Sequence, residues 1–262
     1  MITGIGTARN RRGSEHLMSI RGIVFDINGT LIDIKTEENH PEIYRVLSNL
    51  LSYQGVSLSP ESVKDQYFEI MNEQRCSKNE RHPEFDSVGI FREMIRRNAT
   101  DFTRGLPGEK LDQLPLIMAE TFRAISRFRL DLYPGVREVL GDLRHRYRLG
   151  VLSDGQYAYA AKELNVVGLL DHFDPIIVSG DHGYRKPDRR LYELTLSRMN
   201  LAPHETLFVG DNMYRDVYGA KRMGLKTVFF QTGERARAKH GVRPDYIIYN
   251  FCELHNALGF FN

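Results

Sequence analysis

The sequence contains few cysteines, no long apolar run and no excess of charge of one sign, and each absence disfavours a class of protein. Cys76 and Cys252 are the two cysteines among 262 residues, and their spacing matches no metal or redox motif. A disulfide scaffold is therefore disfavoured, and a reducing, cytoplasmic location is expected. No apolar run approaches the length of a membrane span, so we expect a soluble protein without a membrane partner.

The charge is nearly balanced, with 36 Lys and Arg against 34 Asp and Glu, which gives no reason to expect a nucleic-acid partner. With 41% hydrophobic residues, the chain is long enough for one large or two modest domains. Residues 1–18 carry several arginines but lack the apolar core of a secretory signal, so a disordered extension is predicted there. Met18, directly before the first strand, is an alternative start of the natural chain.

From about Asp33 to Leu132 the hydrophobic pattern is helical. It predicts helices at Pro41 to Gln54, Pro60 to Glu73, Val88 to Arg97 and Leu111 to Phe128. Ser59 is the predicted N-cap of the second helix, with Pro60 at its first position. The sequence therefore predicts a helical unit, residues 33–132, inserted after the first strand.

From Tyr133 onward, short apolar runs alternate with helical patterns, which is typical of an α/β protein with a parallel sheet. The predicted strands after Ile23 to Phe25 are Leu149 to Leu152, Pro175 to Val178, Thr206 to Val209, Lys226 to Phe230 and Asp245 to Ile248. The predicted helices are Val136 to Arg146, Tyr157 to Leu164, Arg189 to Met199, Tyr214 to Met223 and Phe251 to Leu258. Residues 19–32 and 133–262 together are expected to form this core.

The segment Ile20 to Leu31 reads I-R-G-I-V-F-D-I-N-G-T-L, so the carboxylate of Asp26 follows a buried strand and precedes a Gly-Thr turn. Ligands of open α/β sheets bind at this end of the strands. Asp26 is therefore a candidate nucleophile. Two residues on, where a second acid would serve proton transfer, stands Asn28, which cannot titrate.

Further polar clusters occur where later strands end. They are Ser153-Asp154-Gly155, Gly210-Asp211-Asn212 with Asp216 close behind, and Arg185-Lys186-Pro187-Asp188 before a helix. Because a parallel sheet gathers its strand ends at one edge, Asp26, Ser153 and Asp211, together with Lys186, are expected to converge. Carboxylates at such a point suit Mg²⁺, while Ser153 and Lys186 can stabilise a phosphoryl group that Asp26 attacks.

These four motifs, in this order, resemble those of the haloacid dehalogenase (HAD) superfamily, whose phosphatases carry D-x-D-G-T, a strand ending in Ser or Thr, a Lys, and an acidic G-D-x(n)-D motif. The resemblance covers the chain from about Ile20 to the last strand. It implies a Rossmann-like parallel sheet flanked by helices, with the helical insertion as a cap. The R-K-P-D segment before a helix resembles the phosphoglycolate phosphatase-like members.

Carried over to this sequence, the resemblance implies a phosphomonoester hydrolase that acts on a small phosphorylated metabolite through an aspartyl phosphate on Asp26. Ser153, with Asp154 and Gly155, would bind the phosphate, and Lys186 would neutralise it. The implied Mg²⁺ ligands are the Asp26 carboxylate, the backbone carbonyl of Asn28 and Asp211, with Asp216 just outside them. A monomer or homodimer is expected.

Asn28 occupies the position of the family's second acid, which protonates the leaving alcohol and then activates water. Such an acid contributes about 10²- to 10⁴-fold, so metal and phosphate binding can persist while turnover collapses. Three explanations of the missing acid compete. Asn28 is natural in a protein that binds or transfers phosphate instead of hydrolysing it, or it is an engineered trap, or another acid takes over the role. Asp33 is the nearest such acid in sequence, but it is expected at the hinge of the insertion.

Several alternatives stay open. A catalytically impaired homologue would bind phosphate or regulate a partner, and a dehalogenase is a remote alternative, because its members also lack the second acid. Asp211 and Asp216 favour the phosphate site over it. Ser153 could instead cap the next helix, and Asp216 could complement a helix dipole. The polar stretch with Arg75, Lys78, Arg81 and His82 could hold an anionic substrate, although a solvated face is preferred for most of it.

Overall fold

The computed structural model describes residues 19–233 and 241–262, so the predicted disordered extension at residues 1–18 lies outside the described residues. The strands and α-helices of the described chain are β1 (Gly22–Phe25), β2 (Ile32–Thr36), α1 (Pro41–Ser52), α2 (Pro60–Ser77), α3 (Ser87–Asn98), α4 (Asp101–Arg104), α5 (Gly108–Ser126), β3 (Arg127–Leu132), α6 (Val136–Leu143), β4 (Arg148–Ser153), α7 (Tyr157–Val166), β5 (Ile176–Val178), α8 (Arg189–Met199), β6 (Thr206–Gly210), α9 (Gly219–Arg222), β7 (Lys226–Phe230), β8 (Tyr246–Ile248) and α10 (Leu254–Phe261). A π-helical segment, Met213–Tyr218, leads directly into α9.

The six predicted strands form one parallel sheet in the described chain, in the order β5-β4-β1-β6-β7-β8. β1 lies in the middle and is wholly buried, since helices cover both faces of the sheet. This explains why its sequence is apolar on both sides instead of alternating. The predicted α/β class with a Rossmann-like parallel sheet is confirmed, and it places the end of β1 between the ends of β4 and β6.

Helices α1, α2, α3 and α5 enclose a separate apolar core. Its centre contains the stacked rings of Tyr67 and Phe122, with centroids 4.4 Å apart. The predicted start of α2 is confirmed, because the Ser59 side chain accepts a hydrogen bond from the backbone N–H of Ser62 at 3.2 Å and Pro60 follows it. The helical insertion thus has its own hydrophobic centre beside the sheet.

A two-stranded antiparallel ribbon, β2 and β3, joins the insertion to the sheet and was not predicted. The helix predicted over Leu111 to Phe128 was wrong at its end, because α5 stops at Ser126 and Phe128 lies exposed in β3. Leu130 and Leu132 pack on the sheet core while Asp131 between them faces outward, a period of two that a helical interpretation overlooks. Since Ile32 pairs with Leu132, the predicted ends of the insertion are neighbours.

Candidate functional site

Three carboxylates meet at the carboxyl edge of the sheet. Asp26 directly follows β1, and its backbone N–H donates to the carbonyl of Val209 at 3.0 Å, which ties it to β6. Asp211 follows β6, and Asp216 lies in the π-helical segment beyond it. One carboxylate oxygen from each of the three aspartates lies within 4.8 Å of the others. The chain therefore brings together the acids of its first and last motifs.

The Gly-Thr turn after Asp26 allows this close approach. Gly29 has φ +88°, a left-handed conformation that favours glycine, and a Cβ atom there would collide with the carboxylate of Asp211. The hydroxyl of Thr30 donates to Asp211 Oδ1 at 3.0 Å. Both residues of the turn thus serve to position Asp211 against β1.

Lys186 is the cation of this cluster and is almost fully buried. Its Nζ lies 2.9 Å from Asp26 Oδ1 and 2.7 Å from Asp216 Oδ1. It also donates to the carbonyl of Leu152 at 3.1 Å. Burial alone lowers the pKa of Lys186, but the charges of Asp216 and Asp26 outweigh burial and raise this pKa above its ordinary value. The ammonium is therefore charged at neutral pH.

One ammonium does not balance three carboxylates. Burial, followed by the negative charge of Asp26, raises the pKa of Asp211 to about 6 against the hydrogen bond from Thr30. Burial also raises the pKa of Asp216, although Lys186 opposes this. The cluster thus holds buried negative charge that its own cation does not neutralise. Hard oxygen donors in this arrangement fit a divalent cation.

Ser153 ends β4, beside β1, and is buried next to this cluster. It does not cap α7, as one alternative had it, because the N-cap of α7 is Gln156. The side chain of Gln156 is used elsewhere: its Oε1 accepts from the N–H of Ser87 at 3.1 Å and its Nε2 donates to the carbonyl of Phe85 at 2.8 Å. The capping interpretation of Ser153 is therefore wrong.

Asp154 and Gly155 bind neighbouring loops. Asp154 Oδ1 accepts the backbone N–H of Lys186 at 2.8 Å, and its Oδ2 lies 3.5 Å from Arg215. The N–H of Gly155 donates to the hydroxyl of Ser179 at 2.9 Å. Asp154 thus holds the loop that carries Lys186, a role that sequence reasoning missed, because residues 32 positions apart carry no local signal of their contact.

Asn28 stands close to the cluster without a protein partner for its amide oxygen. Within the described part of the chain, Asn28 Oδ1 is buried and accepts no hydrogen bond. Asp33, the acid considered as its replacement, instead forms a 2.7 Å ion pair with Arg129 across the ribbon. Asp33 therefore lies in an ion pair at the base of the insertion, as expected for the hinge.

A cavity of about 320 Å³ extends from this edge of the sheet to the helical insertion. The sheet side contributes Asn28, Ser153, Asp154 and Gly155, and the insertion contributes Glu38, Met71, Arg75, Glu84, Phe85 and Arg123. Of the polar stretch singled out in the sequence, Arg75 lines the cavity, Lys78 donates to the carbonyl of Glu84 at 2.7 Å, and Arg81 is exposed. The ring of His82 packs edge-on against Tyr214.

Two features of this cavity had no sequence signal. Glu84, in the insertion, is buried and accepts from the hydroxyl of Ser179 at 2.7 Å, and Gln156 bonds the insertion as described above. Both contacts join segments about 70 to 95 residues apart. They fasten the insertion to the sheet at the cavity wall.

Known proteins resemble this chain in sequence and in fold. A phosphoserine phosphatase of Thermus thermophilus is 36% identical over 56% of this chain and 57% of its own length. A phosphoglycolate phosphatase of Nitrosococcus oceani is 26% identical over 90% of this chain and 95% of its own. In its alignments with several of the more similar curated relatives, the chain spans only about half of their length.

Among solved structures, a 2-haloacid dehalogenase of Pseudomonas syringae superposes with a TM-score of 0.68 at 21% identity, covering 93% of this chain and all of that one, which shows a shared fold. No helix of the described residues is long and apolar enough to cross a membrane. The model of the haloacid dehalogenase-like hydrolases matches residues 20–224. The chain therefore belongs to the haloacid dehalogenase-like hydrolase family, as its motifs predicted.

Proposed function

We propose that this protein is a phosphomonoester hydrolase that forms an aspartyl phosphate on Asp26. The observation that carries the proposal is the meeting of three carboxylates with one buried lysine at the carboxyl edge of the sheet. The phosphatase names of the relatives support the same activity. Residues 33–132 would act as a cap, since they form one wall of the cavity that begins at Asn28 and Ser153.

The proposed cofactor is Mg²⁺. The Asp26 and Asp211 carboxylates with the carbonyl of Asn28 would hold it, and Asp216 would lie just outside these ligands. The raised pKa of Asp211 supports the fit, because a divalent cation would offset both of its causes, burial first and then the negative charge of Asp26. When bound, Mg²⁺ supplies positive charge to the transferring phosphoryl group.

In the first step, a carboxylate oxygen of Asp26 attacks phosphorus, and the bond from phosphorus to the leaving oxygen breaks. Lys186 neutralises a phosphoryl oxygen from its position 2.9 Å from Asp26, and Ser153 donates a hydrogen bond to another. The leaving alkoxide takes up a proton from solvent to become an alcohol. In the second step, a water oxygen attacks phosphorus, the bond from phosphorus to the Asp26 oxygen breaks, and a proton of the water passes to solvent, which releases inorganic phosphate and restores Asp26.

Both steps move a proton that Asn28 cannot carry. Its amide N–H can donate a hydrogen bond to the leaving oxygen, but it has no proton to transfer at neutral pH. A positioned acid or base typically contributes about 10²- to 10⁴-fold to rate. The proposed enzyme is therefore slow at each step. A substrate with a good leaving group can compensate in the first step alone, because the second step needs a base for the attacking water.

Asn28 also favours a second candidate function. A site that keeps its metal ligands, its lysine and its serine while lacking the titrating group would bind phosphate and retain it. Such a homologue would act by ligand binding or by regulation of a partner. The small phosphorylated metabolite would be the same in both cases.

Hydrolysis of p-nitrophenyl phosphate with Mg²⁺ by this chain, measured beside Asn28→Asp, separates the two candidates. Because p-nitrophenolate leaves without a proton, trapping of the phosphoenzyme under single-turnover conditions should accompany the assay. Turnover by Asn28→Asp with labelling of Asp26 in both proteins supports the hydrolase. Absence of labelling and turnover in both proteins, while phosphate binding persists, overturns the hydrolase and leaves the binding function.

A further inference from the structure

Of the arginines that line the cavity beyond Asn28 and Ser153, one has no carboxylate partner among the described residues. Its wall includes three arginines, Arg75, Arg123 and Arg185. Arg123 forms a bidentate ion pair with Glu163, with Nε 2.7 Å from Oε1 and Nη2 3.2 Å from Oε2. Both side chains are largely buried. This arginine is therefore a structural counter-ion of α7 and is not available to a ligand.

Arg185 lies between two carboxylates in looser ion pairs, and its buried Nε makes no hydrogen bond to the described residues. Its Nε lies 3.4 Å from Glu84 Oε2 and 3.6 Å from Asp154 Oδ2, and both acids are buried in the cavity wall. Glu38 is the one lining acid left over, and it is exposed, so that water screens its charge. Asp154 has a second cation, Arg215, whose Nη1 lies 3.5 Å from its Oδ2. The three buried acids of the wall, Glu84, Asp154 and Glu163, are thus balanced by arginines other than Arg75.

Arg75 is the third lining arginine. It lies in the last turn of α2, half-buried, with its guanidinium carbon 4.9 Å from the centre of the Phe85 ring. Among residues 19–233 and 241–262 no carboxylate forms an ion pair with it. A guanidinium stacked on an aromatic face keeps its N–H groups in a fixed plane, where a carboxylate can accept two of them. Arg75 could also complement the negative end of the α2 dipole, but that role does not require its side chain to face the cavity.

We infer that the substrates are small phosphate monoesters that carry a carboxylate, and that Arg75 binds this second anion while the phosphate lies at Asp26. This inference rests on the proposed function. The cavity volume of about 320 Å³ supports a small metabolite, since it is near the lower end of the range of about 300–1,000 Å³ for small-molecule sites. Arg75 thus determines specificity, whereas Asp26 and Lys186 determine reactivity.

The test compares two ligands that differ in the second anion alone, phosphoglycolate and ethyl phosphate. Their dissociation constants, measured by calorimetry with Mg²⁺ present, give a preference ratio for the native chain. Hydrogen bonds to charged groups imply that Arg75→Ala lowers this ratio by about 10- to 100-fold. Arg92→Ala, an exposed arginine of α3, should leave the ratio unchanged. Arg75→Glu should reverse the preferred charge of the second group, so that phosphoethanolamine, which carries an ammonium there, binds more tightly than ethyl phosphate.

An unchanged ratio in Arg75→Ala, with the fold intact by circular dichroism, overturns the inference and leaves the proposed function standing. So does an Arg75-dependent preference for glycerol bisphosphates that excludes phosphoglycolate, because the second anion would then be a phosphate. Failure of both phosphoglycolate and ethyl phosphate to bind the native chain overturns the proposed function and this inference together.

Discussion

Two regions next to the cavity, the carboxylate cluster at the sheet edge and the contact between α5 and α7, differ in how their buried charges are paired. At the sheet edge, Asp26, Asp211 and Asp216 share a single lysine, and the pKa of Asp211 rises to about 6 because burial and Asp26 disfavour its ionised form. Where α5 of the insertion meets α7, Glu163 has its own arginine, Arg123, at 2.7 Å. Paired charges are what a stable fold requires, whereas uncompensated ones at a strand end indicate a ligand. The difference favours the sheet edge as the reactive side.

The largest expected effect comes from removing the nucleophile. Asp26→Asn should reduce phosphorylation and turnover by roughly 10⁴-fold or more, since loss of a nucleophile leaves only binding and electrostatic effects. Phosphoenzyme trapping and steady-state rates measure it. Asp245→Asn is the matched control, because Asp245 is a partly buried aspartate held by Lys221 and Thr227 near the start of β7. Equal losses in both variants would contradict the distinction between the two kinds of acid.

Restoring an acid at position 28 should have the next largest effect. Asn28→Asp is expected to raise turnover by about 10²- to 10⁴-fold. The gain in the first step should be larger for an alkyl phosphate than for p-nitrophenyl phosphate, because an alkoxide needs the proton. Comparison of kcat/KM for the two esters measures this. Asn39→Asp, at an exposed asparagine, is the control and should change neither. A gain of the same size for both esters would argue against a general-acid role.

Removing the cation of a buried ion pair in each of the two regions tests the comparison through the free energy of unfolding. Lys186→Met and Arg123→Met should each lower the free energy of unfolding by about 3–5 kcal/mol, because each leaves a carboxylate buried without its cation. Denaturant unfolding with and without Mg²⁺ should then distinguish them. Mg²⁺ is expected to restore part of the loss in Lys186→Met and none in Arg123→Met. Equal restoration in both would place the cation elsewhere.

The smallest effect concerns Asp211 in metal-free protein. Folding raises the pKa of this group from 3.8 to about 6, so the fold disfavours the ionised form. The resulting loss of stability is absent below the unfolded pKa, grows as pH rises, and is complete above the folded one. Asp211→Asn should therefore be more stable than the native chain at pH 7 by on the order of 1 kcal/mol, but not at pH 4. With Mg²⁺ at pH 7 the native chain should regain stability and the variant should not.

Sequence reasoning succeeded where the chain obeys a local rule with one geometric outcome. Asp26 and Asp211 were predicted to meet because apolar runs marked parallel strands, and such strands end at one edge. Gly29 followed from the need for a turn there. The same rules gave all six strands of the sheet. The position of these side chains at the carboxyl edge of the sheet could therefore largely be predicted from the sequence, although their roles in catalysis stay predictions.

What the sequence concealed depends on contacts between distant segments. The ribbon of β2 and β3 was missed because neither strand is a continuous apolar run, and in β3 two inward-facing leucines alternate with polar residues beside a long helix. Glu84 reads as one acid among many, and nothing local shows that Ser179 binds it. Likewise, the sequence offered Arg75 as one of four residues that could hold an anionic substrate, but it did not distinguish Arg75 from the other three. Its significance depends on which of its neighbours are already paired.

The lifetime of the phosphoryl group on Asp26 tests the central claim most directly. Native chain mixed with p-nitrophenyl phosphate and Mg²⁺, quenched over time and analysed by intact mass and peptide mapping, should show a burst of one p-nitrophenol per chain. The phosphoryl group should persist on Asp26 for about 10²- to 10⁴-fold longer than in Asn28→Asp. Equal lifetimes in the two proteins, or a phosphoryl group on any residue other than Asp26, would contradict the account.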